Sequence, residues 1–311
     1  MLWLIPVAIG GYLLLKEKET MSNLNLQFKN FETKISLTET QTKNIVNRHN
    51  TIRELIENYF KNKEGFKTPS FFIQGSYKMK TMVQKVDGSY DVDLGVYFDT
   101  KPSVTCTKMQ EYVKEAVNKQ TSEGAQHLKK CIRLNYKGEF NIDLPVYYQE
   151  NNYTLAKLAI KNDNWRTDDP EQFINWFENQ RTNKEVNKDG QMLRVVKYLK
   201  YWLNQLPFKT PSGMAITIWV GNYFVAVKDR DDEALYKTLA NIHNNNTFLL
   251  TCNCPVQPYD NVINNLDEIQ KGKFINELKA FKGDAYNALY SVYDDIAITL
   301  WSKHLGNKFT I

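Results

Sequence analysis

The period of the hydrophobic pattern changes once along the chain, near residue 155, and that change limits the fold more than any single motif does. Before it, the apolar runs Phe71 to Gln74, Asp91 to Phe98 and Phe140 to Tyr148 read as strands. A helix is expected near Thr107 to Lys119, between the last two. Residues 41 to 62 place Ile45, Ile52, Leu55, Ile56 and Tyr59 at helical spacing, which predicts a long amphipathic helix. After residue 155 the pattern is mostly helical, over Glu171 to Gln180, Gly190 to Leu206, Met214 to Val227, Asp231 to Asn244, Ile263 to Phe281 and Asp284 to His304. The expected fold class is therefore α+β, a lobe with a mixed sheet over residues 21–155 followed by a helical lobe over 156–311. A hydrophobic content of 42% with sixteen Phe, eighteen Tyr and six Trp is ample for a packed core and excludes a disordered chain.

Charge and metal-ligand residues exclude more than they suggest. Forty Lys and Arg against thirty-five Asp and Glu leave a net charge of +5, compatible with polyphosphate ligands but with no dedicated DNA-binding signature. The basic clusters Lys129-Lys130 with Arg133, and Lys197 with Lys200, are small. Four scattered cysteines, of which only Cys252 and Cys254 are close, make a poor zinc signature and read as reduced thiols. His49, His127, His243 and His304 stand singly and do not argue for histidine-based catalysis.

Residues 1–20 differ in character from the rest. Leu2 to Leu15 is an uncharged run, followed at once by Lys16, Glu17, Lys18 and Glu19. As a helix it reaches about 21 Å at 1.5 Å per residue, short of a hydrocarbon core of roughly 30 Å. Lysines on its C-terminal side would leave the rest of the chain in the cytoplasm, so the segment is read as a membrane anchor of a cytoplasmic protein. The competing reading starts the protein at Met21.

The chemistry concentrates in the first lobe. A strand stops at Gly75, and Gly75-Ser76 opens a helix around Tyr77, where a glycine allows close backbone approach to a ligand and Ser76 adds a hydroxyl. A second Gly-Ser-Tyr at Gly88 to Tyr90 reads as a plain turn. In the strand that follows, Asp91 and Asp93 share one face while Val92, Leu94 and Val96 point to the core. Two carboxylates on one pleat suit a Mg²⁺ shared with substrate phosphates. A third acid, Asp143, lies in the otherwise apolar run Phe140 to Tyr148, where it must be paired, hydrogen-bonded or metal-bound. Together these elements have the layout of a nucleotidyltransferase that uses two metal ions for in-line displacement at phosphorus.

The motifs GSYKMKT (Gly75 to Thr81), YDVDLGV (Tyr90 to Val96), FNIDLPV (Phe140 to Val146), VVKYLKYW (Val195 to Trp202) and KTPSG (Lys209 to Gly213) resemble, in order, those of the cyclic GMP-AMP synthase-like and oligoadenylate synthase-like nucleotidyltransferases. The resemblance is strongest to the bacterial CD-NTases of anti-phage CBASS systems. It implies a polymerase β-like catalytic lobe, a helical second lobe and a long helix spanning both, for which residues 41 to 62 are available. It implies that Gly75 and Ser76 hold a triphosphate, that Asp91 and Asp93 bind two Mg²⁺ ions, replaceable by Mn²⁺, and that Asp143 binds one of them and helps activate the hydroxyl. Lys197, with Lys200 three residues on, and Ser212 are implied as further phosphate contacts, although a lysine on a helix and a serine before one also read as a solvated side chain and an N-cap. The implied substrates are ATP, GTP or both, the product is a cyclic oligonucleotide messenger, and the implied partners are regulatory or effector proteins of a defence operon. A template-independent transferase acting on RNA or protein shares the same acids, and a non-catalytic nucleotide sensor has no need of three.

Overall fold

The computed structural model describes residues 22–151, 154–185 and 188–310, so the apolar run at 2–15 lies outside the described residues. Among the described residues no helix is long and apolar enough to cross a membrane. The chain divides into two compact units, one of residues 36–183 with 253–262, the other of residues 22–35, 184–252 and 263–310. The division expected at 155/156 thus falls at 183/184. The short strands β7 (Lys157–Ala159) and β8 (Trp165–Thr167) extend the sheet beyond 155, and α5 (Pro170–Lys184) follows them. They are three residues each, too short for a readable alternation.

In the first unit, β1 (Ser70–Gln74) runs antiparallel to β2 (Tyr90–Phe98). β5 (Phe140–Leu144) and β6 (Val146–Tyr148) both run parallel to β2 with one register, from Tyr90 opposite Phe140 to Phe98 opposite Tyr148. The run expected as one strand is therefore one line, interrupted where Pro145 brings no N–H and its carbonyl accepts instead from Val96 N at 2.9 Å. β4 (Ile132–Tyr136) pairs antiparallel with β5, and β3 (Gln126–His127) with β4. On one face of the sheet Val92, Leu94, Val96 and Phe98 are buried against α2 (Glu39–Lys61), through Ile45, Ile52, Ile56 and Phe60, and against α4 (Cys106–Val117), through Met109, Val113 and Val117. Thr38 starts α2 with a capping box shared with Gln41. The helix expected over residues 41 to 62 belongs to this unit, and a separate helix, α1 (Asn25–Ile35), belongs to the other.

The second unit is helical and is organised around α6 (Gln191–Leu203), which is buried along most of its length. Phe28 and Phe31 of α1 pack on Tyr198, and Phe28 also meets Trp301 of α10 (Asp294–Leu305) edge-on at 4.9 Å. The break expected between Phe281 and Asp284 is absent: α9 runs unbroken from Glu268 to Leu289 through Gly283, and the chain turns at 290–293. An internal glycine costs about 1 kcal/mol of helix propensity, less than is gained by burying Phe281, Ala285, Ala288 and Leu289 around it.

A fully buried carboxylate ties this unit together. Asp231, at the start of α8 (Asp231–Asn246), accepts from Arg194 Nε at 2.6 Å and Nη2 at 2.9 Å, from Tyr198 Oη at 2.8 Å and from Gln191 Nε2 at 3.0 Å. Its N–H donates to Asn25 Oδ1 at 3.0 Å, so α1, α6 and α8 meet on one residue. Asp231→Ala leaves Arg194 only its contacts to Asp189, removes an acceptor of Tyr198 Oη, and should lower unfolding free energy by about 3 kcal/mol. A urea midpoint close to that of the parent would show that the network contributes little.

Candidate active site

The acids stand on the face of the sheet opposite the helix-covered core. Asp91, Asp93, Gly95 and Tyr97 alternate with the buried residues of β2, and register then fixes their neighbours. Asn141 lies opposite Asp91, and Asp143 opposite Asp93. On the other side of β2, Gln74 lies opposite Asp93. The three acids read from the sequence are thus brought onto one face of two adjacent strands, at the end of β1 where Gly75 and Ser76 follow.

Gly75 starts a single helical turn, α3 (Gly75–Lys78), with φ +66°. A Cβ at this position would fall on Asp93 Oδ2 and within 3.2 Å of its Cγ. Glycine is required twice over, by a left-handed backbone and by a carboxylate packed where a side chain would begin. The helix is shorter than the sequence suggests, since Met79 N, Lys80 N and Thr81 N close back onto Gly75, Tyr77 and Ser76 carbonyls. The second Gly-Ser-Tyr is a turn, with Gly88 at φ +83° and Lys85 N donating to Ser89 O at 2.8 Å.

That turn brings up a residue that the sequence reading passed over. Lys85 Nζ is 2.7 Å from Asp91 Oδ2, and Asn141 Nδ2 donates to Asp91 Oδ1 at 2.8 Å. Burial pushes the Asp91 carboxyl up, but the hydrogen bonds from Lys85 and Asn141 outweigh it and hold the group below the usual carboxylate range. Arg133, read only as part of a small basic cluster, lies opposite Asp143 in the β4/β5 register and engages both of its oxygens at 2.7 Å. Bidentate pairing is invisible in sequence because it depends on a cross-strand register ten residues apart. With the side chains so placed, no three of the described Asp, Glu, His and Cys residues gather into a group able to hold a metal ion. The donor set itself suits a hard divalent cation, since all three are carboxylates on neighbouring strand positions.

Beyond Gly95 the same face is closed by Tyr97 and Tyr147, stacked at 4.6 Å, with Gln74 donating to Tyr147 Oη at 3.2 Å and accepting from Tyr97 Oη at 3.4 Å. Behind the Gly75 turn, His49 of α2 meets the Tyr77 ring edge-on at 6.3 Å. Its two ring nitrogens are buried without hydrogen-bond partners among the described residues.

The remaining expected residues are in the helical unit. Lys197 is ion-paired with Glu32 and mostly buried. Lys200, one turn on, is buried too, and its Cε lies 3.3 Å from where a Cβ of Gly213 would be. Ser212 caps α7 (Gly213–Tyr223), accepting from Ala215 N at 3.3 Å, which leaves its O–H free of the cap. Of the two lysines, Lys200 is the one at the Ser212-Gly213 turn.

Residues 69–147, which hold all five residues expected at the acid and Gly-Ser site, match the model of the cyclic GMP-AMP synthase DncV-like nucleotidyltransferase domain. A cyclic GMP-AMP synthase of Escherichia albertii is 29% identical over 184 residues, 55% of this chain and 40% of the relative, so the match spans less than half of that protein. The Vibrio cholerae DncV apo structure superposes with a TM-score of 0.79 over 93% of this chain and 96% of that one, at 16% identity. Vibrio cholerae DncV cyclic AMP-GMP synthase bound to the linear intermediate 5′ pppA(3′,5′)pG gives 0.80 over 94% and 97%, at 15% identity. Escherichia coli DncV with 3′-deoxy GTP gives 0.73 over 89% and 93%, at 14% identity.

Two predictions follow from this geometry. Gly75→Ala should cost about 1 to 2 kcal/mol from the left-handed backbone alone and should also displace Asp93. Unchanged thermal stability would mean that the turn relaxes freely. For His49, burial first and Arg53 second lower the pKa to about 4 from 6.5. A folded-state pKa below the unfolded one gives stability that is complete above pH 6.5 and lost as pH falls toward 4, by up to about 3 kcal/mol. His49→Leu should flatten the fall of the urea midpoint between pH 7.5 and 5, and an equal fall in both proteins would place the acid sensitivity elsewhere. Residues 69–147 are thus similar to the DncV-like nucleotidyltransferase domain, and the chain shares the DncV fold over nearly its whole length.

Proposed function

We propose that this protein joins nucleoside triphosphates into a cyclic oligonucleotide, with release of pyrophosphate. The observation that carries the reading is the register that sets Asp91, Asp93 and Asp143 on one sheet face, with Asp93 packed against Gly75. Asp91 and Asp93 are the proposed ligands of two Mg²⁺ ions, or Mn²⁺ in their place, with Asp143 a ligand of one. When bound, the ions would lower the pKa of the attacking hydroxyl and neutralise charge developing on the phosphate oxygens. The protein's own part is to orient the hydroxyl beside Asp143, to cradle the triphosphate at Gly75 and Ser76, and to keep water from replacing the acceptor. In the helical unit Ser212 and Lys197 are proposed phosphate contacts, and the packing of Lys200 at the Ser212 turn makes it a second candidate.

ATP and GTP are the proposed substrates, supported by Vibrio cholerae DncV structures with ATP and GTP bound and with a linear adenine-guanine intermediate. A role in anti-phage defence, with regulatory or effector partners, is proposed on the resemblance alone. Anchoring through residues 2–15 rests on their composition. The alternative, transfer to RNA or protein, uses the same acids and differs in its acceptor.

Purified protein incubated with the four labelled triphosphates and Mg²⁺ or Mn²⁺ should yield a small product that resists phosphatase. Label appearing instead on added RNA or on protein would overturn the cyclic product in favour of the alternative. Asp91→Asn with Asp93→Asn should reduce product by about a thousandfold or more. Because Asp91 is already compensated by Lys85 at a half-exposed pair, the double variant should keep its stability to within about 1 kcal/mol. Retained synthesis would remove these carboxylates from the chemistry.

A further inference from the structure

Asp143 stands between two residues of opposite charge. On the β2 side it faces Asp93, and on the β4 side it faces Arg133. Its side chain is 14% exposed and Arg133's is 31%, so solvent screens the pair only in part. Both carboxylate oxygens are taken by the guanidinium fork at 2.7 Å, and the Asp143 carboxylate in turn raises the guanidinium's already high pKa. A divalent ion bound to Asp143 in this position would sit next to a fixed positive charge. The Lys85 to Asp91 pair is different in kind, one contact between side chains 44% and 35% exposed, and is easily exchanged.

We propose that Arg133 is a positioning residue that holds Asp143 away from the other two acids and yields it when a triphosphate takes the guanidinium. Phosphate offers the same bidentate geometry as carboxylate with more charge, so the exchange keeps the fork satisfied. Asp143 then turns toward Asp93 and completes the set of three. Nucleotide and divalent ion therefore strengthen each other's binding by one factor, as linkage requires. This inference rests on reading the three acids as metal ligands.

The test is a Mn²⁺ titration of the full chain without nucleotide, followed by the electron paramagnetic resonance of the free ion. Arg133→Met should bind Mn²⁺ about tenfold more tightly than the parent, about 1.4 kcal/mol. Arg133→Lys, which keeps the charge and loses the fork, should fall between them, and adding Asp143→Asn to Arg133→Met should abolish the gain. A merely structural role for Arg133 would weaken binding or leave it unchanged, and either result overturns the proposal. If circular dichroism shows Arg133→Met unfolded, Arg133→Lys decides, with parent-like affinity counting against the inference. Binding in the parent that is lost in Asp91→Asn with Asp93→Asn, but unmoved by Arg133 variants, overturns the role of Arg133 alone. Absence of Mn²⁺ binding in every variant overturns both this role and the metal-ligand reading.

Discussion

The site depends on the register of β2. A strand alternates its side chains, so a slip of one residue would send Asp91 and Asp93 into the helix-covered core and Val92 and Leu94 into water. The slip is prevented from the other face, where Val92, Leu94, Val96 and Phe98 are buried against α2 and α4. Packing on one side of the sheet thereby fixes chemistry on the other. The same register places Gln74 and Asp143 on the two flanks of Asp93, and Gly75 follows Gln74 directly.

Carboxylates brought together this way need compensation, and the fold supplies it from separate sources. Asp91 draws on Lys85, delivered by the Gly88-Ser89 turn, and on Asn141, two residues before Asp143 in the same strand. Asp143 draws on Arg133 from the neighbouring strand. Lys85 and Arg133 sit on side chains long enough to move, whereas the backbone position of each acid is fixed by its strand. Stability of the unliganded protein and access of a ligand are thus assigned to different residues.

The acids and the glycine were legible because their constraints are local. A D-x-D in an apolar strand and a Gly-Ser after one are patterns of period two and of backbone freedom, and both survive without tertiary information. The strand line Phe140 to Tyr148 was legible for the same reason, and Pro145 interrupts its pairing without turning it. Arg133 and Lys85 were not legible, since one depends on an antiparallel register and the other on how far a turn folds back. The unit boundary was missed because three-residue strands carry no periodicity. The break expected between Phe281 and Asp284 is bridged because helix propensity, even at Gly283, is a weak term beside the burial of Phe281 and Ala285.

The two lysines of α6 show how far helical spacing alone can go. Lys197 and Lys200 are three apart, so sequence puts them on one face without ranking them. What separates them is a residue far upstream: Glu32 on α1 takes Lys197 into an ion pair, while Lys200 turns its stem across Gly213. The glycine allows the lysine to lie there, because a Cβ would crowd the stem from 3.3 Å. A flexible cation held along its length beside a serine whose hydroxyl hydrogen is not used by the cap has lost rotamer entropy before any anion arrives. Lys197, by contrast, has its ammonium committed to the Glu32 carboxylate.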